Sequence, residues 1–159
     1  MPILKAETIN PDFKVAIVVS RYNLDITQEL LAGAVTRLFE LGLSEASLTV
    51  TWVPGAVEIP LTAQRLARTK KFEAVICLGA VIFGETRHFD YVCDQVSQGC
   101  QQVALSSDLP IIFGVLTTDN LAQAQDRIGG AKGHVGRQSA DAAVEMISLL
   151  RQIEVSLSN

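Results

Sequence analysis

Hydrophobic and polar positions along the chain alternate between two periods, one typical of strands and one typical of helices. Runs rich in β-branched residues at 14–20 and 74–82 predict strands buried on both faces. The run SLTVTWV at 47–53 predicts another strand, which ends at the turn signal Pro54-Gly55. A fourth strand, IIFGVLTT, is predicted to start at Pro110-Ile111.

Segments with helical spacing separate these strands. In the first, from about 25 to 41, apolar residues recur every three or four positions, and Gly42 suits the end of a helix. Pro60 falls in the first turn of a second predicted helix, where proline is tolerated. This second helix runs from Glu58 to about Lys70. The other predicted helices run from His88 to about Leu105, from Asn120 to Ile128 and from Ser139 to Ile153.

Regular alternation of strand and helix predicts a parallel sheet covered by helices on both faces. The closest common architecture is a flavodoxin-like three-layer αβα sandwich, with four parallel strands and room for an N-terminal edge strand. We expect one domain over 1–159, with a core at about 13–153 and an N-terminal arm at 1–12. Ligands of such sheets bind beyond the carboxyl ends of the strands, which directs attention to residues 20–23, 54–58, 83–88 and 117–118.

Composition narrows the function classes. The 159 residues are 48% hydrophobic with a mean hydropathy of +0.30, so we expect some apolar surface to enter subunit contacts. The net charge of −4 and the lack of a basic cluster argue against nucleic-acid or anionic-membrane partners. Neither a membrane-length apolar run nor a signal-peptide pattern is present, so a cytoplasmic location is expected.

His88 is the leading candidate for chemistry. It follows a strand end and opens a helix, where a histidine can act as an acid or base; the alternative is an ordinary histidine in contact with solvent. Before it, Gly84-Glu85-Thr86 can form either an anion site at the helix N-terminus or a simple Thr-capped turn. GAVIFGET has the spacing of a nucleotide-binding GxxxxGK[ST] loop, but Glu85 replaces the required lysine, and no GxGxxG is present.

Three further side chains have both a binding and a structural interpretation, and a fourth, Phe113, has only a structural one. Glu58 can accept hydrogen bonds from ligand hydroxyls or simply favour a helix start. Tyr22 can stack on a planar ring or pack as an ordinary aromatic. Arg127 can bind phosphate bidentately or be a solvated helix residue. Phe113 lies within the fourth strand, so packing in the core is its default.

Metal and thiol chemistry have little support in the sequence. His88 and His134 are far apart, with no carboxylate or cysteine at ligand spacing. Cys93 and Cys100 are seven residues apart on one predicted helix face, which favours packing over reactivity, and Cys77 lies in an apolar strand. All three cysteines are expected to be reduced thiols.

Five segments occur in the order and register of the lumazine synthases: SRYN, PGAVEIP, GAVIFGETRHFDYV, FGVLTT and AAVEM. The chain resembles that family over about 13–153. The resemblance implies a transferase that condenses 5-amino-6-(D-ribitylamino)uracil with 3,4-dihydroxy-2-butanone 4-phosphate. The product is 6,7-dimethyl-8-ribityllumazine, the precursor of riboflavin, and phosphate and water are released. The family uses no metal and no organic cofactor.

The resemblance also implies roles for individual residues. His88 would be the catalytic acid/base, and Phe113 would reach the site from a neighbouring subunit. The ribitylaminouracil would contact Tyr22, Ala56, Val57, Glu58, Ala80, Val81 and Ile82. The butanone phosphate would be held by backbone N–H groups of Glu85 and Thr86 and by the guanidinium of Arg127.

Family members form homopentamers, some of which assemble into icosahedral shells of 60 subunits, and riboflavin synthase is an implied partner. The short bend at 129–136 is compatible with a shell. Two departures remove positive charge near the phosphate: Phe83 and Val135 stand where the family usually has Arg and Lys. The competing interpretations are a catalytically weak shell or scaffold protein, a phosphoreceiver-like module and a flavin carrier.

Overall fold

The computed structural model describes residues 1–157. Its centre is a parallel sheet of four strands in the order β2-β1-β3-β4. The strands are β1 (Val15–Ser20), β2 (Leu48–Val53), β3 (Ala74–Ile82) and β4 (Ile111–Thr118). The helices are α1 (Leu24–Glu40), α2 (Ile59–Arg68), α3 (His88–Ser107), α4 (Leu121–Gln125) and α5 (Val135–Leu157). The flavodoxin-like architecture predicted from the sequence is therefore confirmed.

The period of two along the strands divides the buried side chains between two faces of the sheet. One face of β1 and β3 packs with α1 and α5 around Leu30, Leu38 and Ile147. The opposite face packs with α2 and α3 around Ile59 and Val96. Both central strands are almost completely buried, as their β-branched runs predict.

Two backbone positions fix the ends of α1. Asn23, just before the helix, has φ 59°, a left-handed conformation that asparagine tolerates better than most residues. Gly42, just after the helix, has φ +97°, where a Cβ would be strained. The glycine stop predicted from the sequence is confirmed, and the chain turns there toward β2.

The C-terminal third differs from the predicted pattern in three ways. The helix predicted over 120–128 ends at Gln125, because Ile128 pairs with His134 in a strand. The glycine-rich bend folds into a short antiparallel hairpin of β5 (Ile128–Gly130) and β6 (Gly133–His134). The closing helix α5 then begins at Val135, four residues before its predicted start at Ser139. The early start follows from packing, because Gly136 lies directly against α1 at the backbone of Leu30.

The N-terminal arm adds no strand to this sheet. Residues 1–14 are extended or irregular, and the arm lies along α5. Ser148 Oγ accepts a hydrogen bond from the Glu7 N–H and donates one to the Glu7 carbonyl, both at 2.9 Å. Arg151 pairs with Asp12 at 2.9 Å. Within residues 1–157, no helix combines the length and apolar character needed to cross a membrane.

Candidate active site

A cavity of about 740 Å³ opens beyond the carboxyl ends of β1 and β3. Its walls come from the loops after β1, β2 and β3 and from the first turns of α3. Residues singled out in the sequence make up much of the lining: Tyr22, Ala56, Val57, Glu58, Ala80, Val81, Ile82, Thr86 and His88. The structure thus has a cleft at the carboxyl ends of the parallel strands, where ligands of such sheets bind.

His88 is held at the cavity by the start of α3. Its backbone N–H donates to Thr86 Oγ1 at 3.3 Å, which closes a turn before the helix, although the residue at the N-cap position is Arg87 and not Thr86. The exposed N–H groups of a helix N-terminus carry a partial positive charge, which favours an anion nearby. The same turn therefore presents an imidazole and a local positive potential to one cavity.

Glu58 has two roles in the geometry. Its Oε2 accepts a hydrogen bond from the Gly55 N–H at 2.9 Å, which closes the turn between β2 and α2. This is a helix-start role, the structural alternative predicted for Glu58. Within the described residues, Oε1 makes no hydrogen bond, and Glu58 lines the cavity. One carboxylate oxygen thus organises the turn and the other can accept from a ligand hydroxyl.

The floor of the cavity is the end of β3. Ala80 and Val81 are buried residues that line the cavity, together with Ile82. Tyr22 also lines the cavity, 73% exposed, with its backbone N–H donating to the Pro54 carbonyl at 3.1 Å. An exposed aromatic ring at a cavity wall can hold a planar heterocycle by stacking.

Asn23 is a site residue for which no role was predicted from the sequence. It lines the cavity, and its Nδ2 donates to the Ala80 carbonyl at 2.8 Å, which ties the end of β1 to the end of β3. The sequence does contain a signal for it, since Asn23 lies directly after the first strand, within residues 20–23, where ligand contacts are expected. Gly84, from the predicted anion-binding turn, also lines the cavity, and the remaining lining residues are Gly55, Phe89, Tyr91, Val92 and Gln95.

Two of these lining residues follow from the period of helix α3. Val92 and Gln95 lie four and seven residues after His88, and so share its face of α3. Helical spacing from His88 therefore predicts that both residues face the same cavity.

Phe83 contributes an apolar edge to the site. Its ring meets that of Phe89 edge-on, with centroids 5.6 Å apart and planes at 77°. Phe89 lines the cavity, whereas Phe83 supports it from outside. The position where the family usually carries a cation therefore stabilises an aromatic wall.

Three predicted site residues lie away from this cavity in the single chain. Glu85 and Arg127 are not part of its lining, and the Arg127 Nη1 donates to the Gln123 carbonyl at 2.7 Å. Phe113 pairs in register with Cys77, in the first half of β4, far from the carboxyl end. Its side chain is 43% exposed, so the default expectation of core packing is wrong.

Two of the three cysteines lie in environments that disfavour the thiolate form. A hydrogen bond with Cys100 and burial raise the pKa of Cys77, and burial together with Asp90 and Asp94 raises the pKa of Cys93. The same contact lowers the pKa of Cys100, which is itself buried. Among residues 1–157, no group of three His, Cys, Asp or Glu side chains is placed to hold a metal ion.

Comparison with known proteins identifies the family. The sequence profile of 6,7-dimethyl-8-ribityllumazine synthase matches residues 12–151. Proteins of that name from Coxiella burnetii strains CbuG_Q212 and RSA 493 / Nine Mile phase I are each 58% identical over 144 residues, which covers 91% of this chain and 95% of each relative. The protein of that name from strain Dugway 5J108-111 is 56% identical over the same length. This chain therefore belongs to the 6,7-dimethyl-8-ribityllumazine synthase family.

Proposed function

We propose that the cavity beyond β1 and β3 is the site at which this chain condenses 5-amino-6-(D-ribitylamino)uracil with 3,4-dihydroxy-2-butanone 4-phosphate. The product is 6,7-dimethyl-8-ribityllumazine, and phosphate and water leave. The family is one of transferases of riboflavin biosynthesis, and this chain is a member. The observation that carries the proposal is the placement of His88 at the wall of the cleft that the family motifs surround.

The residues around the cavity suit a reaction in which the substrates supply the nucleophile. The amine of the pyrimidine attacks the ketone and forms an imine with loss of water, so no lysine is needed, and no lysine is among the described residues that line the cavity. Proton transfers must accompany imine formation and the loss of phosphate. His88 is the cavity residue we assign to them, as general acid and base.

Binding of the pyrimidine substrate follows from the shape of the cleft. Tyr22 stacks on the ring, and the backbone of 80–82 meets its polar edge. The ribityl chain extends toward Ala56 and Val57, where Glu58 Oε1 accepts from its hydroxyls. Holding the amine near the ketone in this way lowers the entropic barrier to their reaction.

The phosphate is assigned to the N-terminus of α3, with the backbone of Glu85 and Thr86, and to Arg127. Arg127 follows α4, which comes directly after the carboxyl end of β4, the strand next to β3. A phosphate ligand would compete with the Gln123 carbonyl for its guanidinium. Because Phe83 and Val135 provide no charge, Arg127 has a larger share of phosphate binding here.

Arg127→Ala is expected to raise the KM for the butanone phosphate by about 10- to 100-fold, which corresponds to the roughly 1.5–3 kcal/mol of a hydrogen bond to a charged group. The KM for the ribitylaminouracil should change much less. Steady-state kinetics with each substrate varied in turn measure the split. A loss confined to the ribityl substrate would contradict the assignment, and Arg68→Ala, on the distant end of α2, is the control.

We further propose that the active form is a homopentamer in the cytoplasm, with the site completed by Phe113 of a neighbouring subunit. The support is the exposure of Phe113 on β4, together with exposed Val50 and Trp52 on the edge strand β2. Apolar side chains on a sheet edge favour subunit contacts. The short hairpin at 128–134 is compatible with a 60-subunit shell, and riboflavin synthase is a candidate partner.

Sedimentation velocity is expected to show a pentamer or a larger closed shell, with no appreciable monomer at micromolar concentration.

Phe113→Ser should lower activity, since each site would lose a contact from the next subunit. Chains that sediment as monomers yet retain full activity would contradict the shared site.

The reaction itself is tested by mixing the purified protein with both substrates and following the fluorescent lumazine. The two substrates also react without enzyme, so the uncatalysed rate is measured in parallel. Product formation at the uncatalysed rate would favour a scaffold protein, and a tight flavin complex without turnover would favour a flavin carrier.

A further inference from the structure

His134 lies in a cradle made of three glycines from three elements. A methyl group added at Gly33 of α1 would overlap the His134 ring, and one at Gly136 of α5 would lie 3.0 Å from its Cε1. Gly129 of β5, at φ +106°, would place a methyl group 3.7 Å from Cδ2. The imidazole therefore fills the space where α1, α5 and the hairpin meet, and it is half-buried there.

This cradle is directly connected to Arg127. In the hairpin, His134 pairs with Ile128, the residue after Arg127. The Val135 N–H donates to the Arg127 carbonyl at 2.9 Å, so the residues flanking Arg127 and His134 share one ladder. A displacement of the His134 ring would thus move the backbone from which the Arg127 side chain extends.

The neutral form of the ring is the one that fits. The Arg137 backbone N–H donates to His134 Nδ1 in a long hydrogen bond of 3.5 Å, which requires an unprotonated Nδ1. Charged groups face the ring from two sides: Glu29 on α1 and Arg137 on α5. The hairpin strand opposite, Ile128–Gly130, has no ionisable side chain. Burial, followed by Arg137, lowers the pKa of His134, and Glu29 opposes this in part.

We propose that His134 is a positioning residue for the reaction: its neutral imidazole holds the β5–β6 hairpin against α1, and so holds Arg127 in place for the butanone phosphate. This inference rests on the phosphate-binding role proposed above for Arg127. Protonation of His134 replaces the Nδ1 acceptor with a donor that faces the Arg137 N–H, which loosens the hairpin.

The direction of the pH effect follows from the lowered pKa. A histidine held neutral in the folded protein stabilises its surroundings fully above its usual pKa of about 6.5. That contribution is lost as the pH falls from the usual histidine pKa through the lowered pKa of His134 in the folded protein. The ion pairs that Glu40 makes with Arg137 and Arg37 do not change over this interval, because these two cations hold the pKa of Glu40 below its usual range. The KM for the butanone phosphate should therefore rise on the acidic side.

The experiment compares the assembled wild-type enzyme with His134→Asn and His134→Ala between about pH 5.5 and pH 8. Asparagine keeps an oxygen acceptor near the position of Nδ1 and does not titrate. At pH 7.5, His134→Ala should raise the KM for the butanone phosphate about fivefold, the effect of one neutral hydrogen bond, with kcat largely kept. His134→Asn should restore that KM and abolish the additional acid-side rise seen in wild type.

The contributions of His88 and of the substrate phosphate are common to all three proteins, so the ratio of wild-type to His134→Asn values isolates His134. Equal effects of His134→Ala on both substrates, or the same acid-side rise in His134→Asn as in wild type, would overturn the inference while the proposed function stands. A wild-type enzyme no faster than the uncatalysed reaction would instead overturn the proposed function, and this inference with it.

Discussion

His88→Gln is expected to lower kcat by roughly 10²- to 10⁴-fold, the usual contribution of one positioned proton-transfer group. Glutamine keeps hydrogen-bonding capacity and similar size but cannot exchange a proton with the substrates. His88 is exposed at the cavity wall, so its loss should leave the fold and the subunit assembly intact. Single-turnover fluorescence at saturating substrates, corrected for the uncatalysed condensation, gives the value directly.

Asp90→Asn is the matched control for that experiment. Asp90 lies in the same first turn of α3 and is exposed, but it does not line the cavity. Its replacement should change kcat by less than about threefold, because only a surface charge is removed. If His88→Gln and Asp90→Asn lost activity to the same extent, His88 would be a structural residue and the proton-transfer assignment would be wrong.

Gly136→Ala is expected to lower the free energy of unfolding by about 2–3 kcal/mol, near the upper end of what overpacking causes. A Cβ at this position would overlap the Leu30 carbonyl of α1, which belongs to the helix backbone and cannot rotate away. α1 and α5 would have to separate, and their contact closes one face of the sheet. Denaturation with urea, with the slope checked against wild type, measures the change.

Gly84→Ala is the control for Gly136→Ala. An added Cβ at Gly84 meets nothing within 4 Å, and Gly84 does not have a positive φ. Its free energy of unfolding should stay within about 0.5 kcal/mol of wild type. A Gly136→Ala protein as stable as Gly84→Ala would mean that the two helices are not in close backbone contact.

Much of the fold could be predicted because its central strands are buried on both faces. Continuous β-branched runs leave little ambiguity, and β3 occupies the predicted residues 74–82. The end of α1 was predictable for a similar reason, since Gly42 supplies a conformation that few residues adopt. The start of α5 was not, because close packing of Gly136 on Leu30 extends the helix into a segment rich in helix-breaking glycine.

The cavity could be predicted to the extent that it is built from strand ends. Parallel topology sends the segments after β1, β2 and β3 to one edge, and the motifs there line one cleft. Arg127 and Phe113 follow no such rule. Arg127 is placed by the hairpin that follows it, and Phe113 lies in the first half of β4, away from the strand end, so neither position follows from the periodicity of the sequence.

The two faces of the sheet separate the proposed site into independently packed halves. His88 is anchored in the layer of α2 and α3, whereas the hairpin that carries Arg127 is anchored in the layer of α1 and α5. The central strands β1, β3 and β4 lie between these two layers. A substitution that adapts one substrate pocket from within one layer is therefore expected to perturb the packing of the other layer less than its own, which gives the site a route to new specificity.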